Sequence, residues 1–437
     1  MLRRSLSICA VMAALVHAGW SATADAEQGR GASSRIGRPL SDPATVAVPE
    51  AVPDEATINT DAQTPPDLPG TTAPGTQPAS PDSGTTASPP TSSSAEEQFS
   101  PSMLALRSKV RKCLSTYYHE PIQVADHSPW GIMHALIAYG VDTEILSNGR
   151  NVNAVGHLCF NQPGRGMQLM TLNKQRIEVR IGPGYQGHSG QFLAMLAQSK
   201  VRTDYPIRIE GHEFTVADLI ESEKLGCRTR TELTFKLIGL SHYLPLDAQW
   251  KNDLGEPWSI SRLIKEELAQ NVVGSACGGT HRMTGFSYAV NKTIKLGGEF
   301  EGQFLRAKKF VDSYHEYIFK LQNADGSFST NWFEGRGEAP EAKRRVETTG
   351  HMLEWLVCSL AADELQDPRV VKSVDYLSGL LLQLAKQKQT VEIGPRGHAI
   401  HGLAIYADRV FGDRPGERDT VLARKAATKS DSPPAKR

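Results

Sequence analysis

The sequence predicts an all-α fold in which six helix pairs close into a ring. Two observations lead to this prediction. A short helix-start pattern returns at intervals of about fifty residues, which is typical of a repeated supersecondary unit. Each interval also has room for two helices of ordinary length and their loops. The six repeats begin at Gly131, His188, Glu232, His281, His351 and His398.

Apolar residues at three- and four-residue steps predict the individual helices. The clearest series lies between residues 370 and 384, and Leu353, Leu356 and Leu360 form a shorter one. Residues 207–216 alternate around Glu210-Gly211 and predict a β-hairpin, and residues 176–181 predict a weaker strand. We therefore expect a small β-hairpin insertion on a helical body.

The composition divides the chain into four parts. Residues 1–26 predict a signal peptide, because a basic start and a short apolar stretch lead to Ala24-Asp25-Ala26. Residues 27–98 hold twelve of the 26 prolines and no aromatic residue, so they predict a disordered Pro/Thr/Ser-rich spacer. Residues 99–412 form the globular block, and residues 413–437 predict a disordered polar tail. The expected location is therefore periplasmic or extracellular.

Net charge and cysteine spacing limit the function classes. The chain has 48 basic and 48 acidic residues, and this balance argues against nucleic acid as a partner. No further stretch is apolar enough to predict a membrane span in the mature chain. The cysteines form no C-x-x-C pair, so neither a zinc knuckle nor a thioredoxin-type site is indicated.

A local motif adds a family resemblance. The segment from Gln322 through Asp325, Gly326 and Ser327 to Phe328 resembles the Q-x-x-x-G-x-W/F repeat of squalene and oxidosqualene cyclases and a related segment of prenyltransferase β-subunits. The chain is also similar to exported bacterial prenyltransferase and squalene-oxidase repeat proteins. The resemblance implies an (α/α)6 toroid in which this motif ties the end of an outer helix to the next loop.

The catalytic motifs of these families do not identify an activity for this chain. The chain has no D-x-D-D acid motif of squalene-hopene cyclase and no D-x-C with a later histidine as in prenyltransferases. Only the segment from Cys277 to His281 loosely resembles the zinc site of lanthionine cyclases, which share the toroid. The resemblance therefore implies a fold rather than a reaction.

Histidines at the predicted helix starts are the candidate catalytic residues. Three chemistries suit them: binding of a divalent metal such as zinc, general acid–base catalysis, or anion binding at positive helix ends. The structural alternative is that each histidine only satisfies a local hydrogen bond. His134, His401, Glu232 and Cys277 are secondary candidates. The principal candidates are His188, His281, His351, His398 and Glu354.

Two classes of function follow from this pattern. The first is an enzyme with a central cavity lined by histidines at the N-termini of inner helices, acting on a small molecule or, as an exported lyase or hydrolase, on a glycan. The second is a non-catalytic binding or scaffold module held at the cell envelope by the spacer. Convergence of the histidines would favour the first.

Overall fold

Helices make up most of the chain that the computed structural model describes, which is residues 99–414. The predicted signal peptide, the spacer and residues 415–437 lie outside this range. The prediction of a mainly helical fold is confirmed. Within the described range the α-helices are α1 (Pro101–Tyr118), α2 (Pro129–Tyr139), α3 (Ala154–Cys159), α4 (Gln191–Gln198), α5 (Val216–Leu225), α6 (Thr234–Tyr243), α7 (Ile260–Leu268), α8 (Thr280–Lys295), α9 (Gly302–Lys320), α10 (Ala342–Ser359), α11 (Pro368–Lys386) and α12 (Ile393–Phe411).

Helix starts follow the expected local chemistry. Pro129 and Pro368 stand at the first helical position, where the missing N–H costs nothing. The Asp367 side chain accepts a hydrogen bond from the backbone N–H of Arg369 and so caps α11. The predicted apolar series of this helix is buried on one side, with Val370, Val374 and Leu377 among its core residues.

Within residues 99–414, strands occur as four separate antiparallel pairs rather than one insertion. The predicted hairpin at residues 207–216 is present, and the weaker strand at 176–181 is present as one half of another pair. Two pairs were not predicted. One of them turns at Asn148-Gly149, a strong hairpin signal that the sequence does carry. The pairs are β1 (Glu144–Ser147) with β2 (Arg150–Asn153), β3 (Met170–Asn173) with β4 (Arg176–Val179), β5 (Pro206–Ile209) with β6 (His212–Thr215), and β7 (Gln249–Lys251) with β8 (Pro257–Ser259).

Six of the helices in the described range, every second one from α2 to α12, form a series of neighbouring contacts. Helix α2 contacts α4, α4 contacts α6, and α6 contacts α8. Helix α8 contacts α10, α10 contacts α12, and α12 contacts α2. Of the other long helices, α1 contacts α11, and α9 contacts both α7 and α8. None of the helices in residues 99–414 combines the length and apolar character of a membrane span.

The Gln322 motif ties two parts of the fold together. The Gln322 side-chain amide donates to the carbonyls of Gly326 and Arg369 and to the hydroxyl of Ser373. It therefore joins the end of α9 to its own following loop and to the first turns of α11. This is the structural role that the sequence motif predicts.

Glycines bring α12 into close contact with its two neighbours. A Cβ added at Gly350 of α10 would lie 2.8 Å from Cβ of Ala399, and one at Gly397 would lie 2.2 Å from the carbonyl oxygen of His134 in α2. The prediction that helices start at His351 and His398 is wrong, because Gly350 and Gly397, which precede these histidines, already lie inside helices. Their small size instead sets the distance between helix axes.

Changing Gly397 to alanine is expected to destabilise the fold by at least about 1–3 kcal/mol, since the new methyl group would overlap a backbone carbonyl. Gly379→Ala is the matched control. Gly379 also lies in a helix, but its nearest neighbour to an added Cβ is the mobile end of Lys109 at 3.9 Å. We expect this control to gain up to about 1 kcal/mol from helix propensity. Urea unfolding of both variants measures the difference, and equal effects would contradict the packing argument.

Candidate metal centre

A left-handed turn places Cys277 immediately before α8. Cys277, Gly278 and Gly279 have φ values of 50°, 61° and 82° in succession. Gly278 is required because an added Cβ would lie 2.3 Å from the Trp332 ring, and Gly279 because one would lie 2.4 Å from the carbonyl oxygen of Val272. A non-glycine residue held at positive φ is strained, and such strain is concentrated at functional sites.

The turn and the first residues of α8 bring two donor groups together. Cys277 and His281 are four residues apart, and α10 supplies His351 from the neighbouring helix. The donor atoms of Cys277, His281 and His351 lie within 4.8 Å of one another. Thiolate and imidazole are the ligands that zinc prefers, so these three residues could hold a single zinc ion.

His351 is oriented as a metal ligand usually is. Its Nδ1 atom lies 2.7 Å from the Glu347 carbonyl oxygen, which can only accept a hydrogen bond. The ring therefore carries its proton on Nδ1, and Nε2 keeps its lone pair. A ligating histidine almost always donates its second N–H to a carbonyl or carboxylate in this way.

His281 has no hydrogen-bonding role in the described part of the fold. Both of its ring nitrogens are buried without a partner. Burial, followed by the adjacent His398 and His351 rings, lowers the pKa of His281 well below its ordinary value. The imidazole is therefore neutral at pH 7. Two unpaired buried nitrogens are costly, and a bound metal ion would satisfy one of them.

A second histidine group adjoins these donors. The ring centroid of His398 lies 4.0 Å from that of His351 and 4.9 Å from that of His281. The Nδ1 atom of His398 lies 2.7 Å from Oε2 of Glu354, and His401 Nδ1 lies 2.5 Å from Oε1 of the same carboxylate. With Nδ1 donating to Glu354, His398 Nε2 is left buried and without a partner.

Glu354 is a buried carboxylate held in its charged form. Burial acts to raise the pKa of Glu354, but the hydrogen bonds and charges of His398 and His401 outweigh it and hold the pKa well below its usual range. Gly402 permits this arrangement, because an added Cβ would lie 3.1 Å from the Cα of Glu354. The carboxylate fixes both rings and sets the proton on the Nδ1 side of His398.

His188 lies on the more open side of the cluster. Its Nδ1 atom is 2.7 Å from Oε2 of Glu232, whose side chain is 39% exposed against 20% for the histidine. The His188 ring centroid is 6.3 Å from that of His281, and Phe235 packs against both rings. His188 is therefore adjacent to the three donors but outside their group.

The helix positions of the predicted residues need correction. His281 is the second residue of α8, as expected. His351 lies in the middle of α10, and His398 lies in the second turn of α12. His188 precedes α4. The histidines converge because the glycine-lined helices pack closely.

Two supporting groups were not predicted. Trp332, at φ 55°, covers Gly278, and its ring lies 5.5 Å from that of His351. Arg282 lies beside His281 and donates to Glu267, to the Asn271 carbonyl and to the Ser275 hydroxyl. Arginine at a helix start carries no pattern that marks such a role. The Cys277/His281 spacing did carry a signal, namely the loose resemblance of this segment to the zinc site of lanthionine cyclases.

Comparison with known proteins leaves the site to be interpreted from its own geometry. No family model matches this sequence. The curated proteins contain no match either. The donor set, the orphaned nitrogens and the Glu354 group are therefore the basis for assigning a function.

Acid is expected to destabilise the fold through His134, which lies next to the cluster and is 2% exposed. Burial, assisted by His398, lowers the pKa of His134 to about 3. The unfolded chain takes up the proton first, so the contribution of His134 to stability is constant above pH ~6.5 and falls as the pH decreases towards 3, by about 1.4 kcal/mol per pH unit. Urea unfolding of metal-free protein between pH 7 and 5 measures the slope. It should become shallower in His134→Gln, and an unchanged slope would contradict the assignment to this residue.

Proposed function

We propose that this protein is a zinc-dependent enzyme of the hydrolase or lyase class. Its metal would be held by Cys277, His281 and His351. The observation that carries the proposal is the convergence of these three donor atoms within 4.8 Å. Three protein ligands with a remaining position for water or substrate are typical of catalytic zinc sites, whereas structural sites use four.

The His398–Glu354 pair supports catalysis. A histidine whose Nδ1 is fixed by a carboxylate and whose Nε2 is unpaired has the arrangement of a general base. His398 packs directly on the proposed ligand His351. A zinc ion in this position would supply a Lewis acid, and His398 would hold or accept a proton beside it.

We also propose that the six helices in mutual contact form an (α/α)6 toroid, similar to the squalene cyclase and prenyltransferase superfamily. The contacts from α2 through α4, α6, α8, α10 and α12 back to α2 support this arrangement. The proposed metal ligands come from two consecutive members of the series, α8 with the turn before it and α10. Export, as residues 1–26 predict, would place the activity outside the cytoplasm, where a glycan is a suitable substrate class.

Metal analysis and cobalt substitution of the full chain test the proposal. We expect one zinc ion per chain in protein purified with zinc. Replacement by Co²⁺ should give visible absorption of a four-coordinate site and a sulfur-to-cobalt band that Cys277→Ser removes. A bound water should also make the visible spectrum respond to added azide. Absence of stoichiometric metal would refute the site, and a cobalt spectrum insensitive to azide would refute an open position in favour of His398 as a fourth, structural ligand.

A further inference from the structure

A small cavity borders His134. Its volume is about 30 Å³, and its walls include Tyr117, His134, Tyr139, Thr143 and Arg396. The ring of His134 lies 5.3 Å from that of His398, the proposed general base.

Arg396 brings a positive charge to this cavity. It lies in the first turn of α12 and is half-buried. Within residues 99–414 no oxygen accepts a hydrogen bond from its guanidinium, and its near neighbour is the Tyr117 ring, 5.9 Å from the guanidinium carbon. Burial lowers the pKa of Arg396 and outweighs the nearby Tyr139, Tyr117 and Glu120 side chains, which act to raise it.

Three other buried or partly buried arginines each have hydrogen-bond acceptors within the protein. Arg282 donates to a carboxylate, a carbonyl and a hydroxyl. Arg345 binds Asp325 and the Ala339 carbonyl, and Arg409 binds the carbonyls of Val357 and Leu360. A guanidinium has five N–H donors, and leaving all of them without a protein acceptor is costly. Arg396 is thus available to an external acceptor.

The hydroxyl groups on the cavity wall are already committed. Tyr117 donates to the Leu381 carbonyl, Tyr139 to the Leu114 carbonyl and Thr143 to the Leu136 carbonyl. Arg396 therefore dominates the hydrogen-bonding character of the cavity. A ligand that fits must present acceptors rather than donors to it.

Size and rim charge select the kind of anion. A water needs about 10–15 Å³ of such volume, so the cavity has room for about two oxygen atoms. A carboxylate presents two oxygens in the spacing of a guanidinium fork. Glu120 and Glu144 are exposed and border the same cavity, so their charges repel a doubly charged phosphate or sulfate more strongly than a singly charged carboxylate.

We propose that this cavity binds the carboxylate group of a small organic acid, with Arg396 as its bidentate partner. This proposal rests on the proposed function in one respect: because His134 lines the cavity and its ring lies 5.3 Å from that of His398, we infer that the bound acid is a substrate or product of the metal centre. Binding itself depends on Arg396 alone. The two proposals can therefore fail separately.

Titration of the full chain with acetate tests the site. Binding is measured by calorimetry at constant ionic strength. We expect saturable binding at one site, at least tenfold weaker in Arg396→Gln, with Arg396→Lys between the two because it keeps the charge but loses the fork. Arg180→Gln is the matched control, since Arg180 is an exposed arginine that likewise lies over a tyrosine ring, that of Tyr185. It should bind acetate as the wild type does.

The outcomes separate the two proposals. Acetate binding that persists in metal-free protein and in Cys277→Ser supports the cavity even if the metal centre is absent. No saturable binding by the wild type, or equal affinity in Arg396→Gln, would overturn the carboxylate site. Phosphate binding as tight as acetate binding would overturn the selection by size and rim charge.

Discussion

His281→Ala is expected to abolish stoichiometric zinc binding. The substitution removes one of three proposed ligands, so the loss of affinity should exceed the 10–100-fold that removal of an outer-shell partner typically costs. Zinc should also raise the unfolding temperature of the wild type but not of the variant, since a ligand present at one hundred times its dissociation constant stabilises by about 2.7 kcal/mol. Competition with a chromophoric chelator and thermal unfolding with and without zinc measure both effects.

A surface histidine provides the control for this experiment. His212 is exposed on β6, so His212→Ala should bind zinc as the wild type does. Loss of the fold would also abolish binding. The far-UV circular dichroism of His281→Ala should therefore match that of wild-type protein treated with chelator. Retention of one zinc per chain by a folded His281→Ala would contradict the proposed ligand set.

Much of the fold follows from local sequence patterns. The apolar series between residues 370 and 384 predicts α11, and the alternation around Glu210-Gly211 predicts the hairpin of β5 and β6. These elements form because their periodicity matches one buried face. The starts of α10 and α12 could not be read in the same way. Glycine is common in loops, so Gly350 and Gly397 suggested helix boundaries. Only the positions of Ala399 and His134 show that these glycines allow close helix packing.

The candidate site could be predicted in part. The repeated histidines marked His281, His351 and His398, and their shared position in successive repeats made convergence a reasonable expectation. The pairing of Glu354 with both His398 and His401 depends on how α10 and α12 are rotated against each other. The left-handed conformation of Cys277 depends on Trp332 and Val272, which lie on other segments. Such tertiary contacts leave no regular spacing in the sequence.

Glu267→Ala is expected to destabilise the fold by about 3–5 kcal/mol, because it leaves the charge of Arg282 buried without its partner. Both side chains are almost fully buried, at 0% and 6% exposure, and lie 2.9 Å apart. Glu267 also accepts hydrogen bonds from the Leu233 N–H and the Thr234 hydroxyl, so its removal orphans further donors at the start of α6. Urea unfolding of chelator-treated protein measures the loss independently of metal.

The same substitution should weaken zinc binding, because Arg282 fixes the segment that carries Cys277. The guanidinium donates to the Asn271 carbonyl and the Ser275 hydroxyl on one side of the left-handed turn, while His281 follows on the other. Asp204→Ala is the control, since the pair of Arg202 and Asp204 is exposed and should contribute less than about 1 kcal/mol. A stable Glu267→Ala protein with unchanged zinc affinity would show that the turn holds Cys277 in place without this ion pair. A destabilised protein with weakened zinc binding would instead show that the buried pair of Glu267 and Arg282 positions the metal ligands.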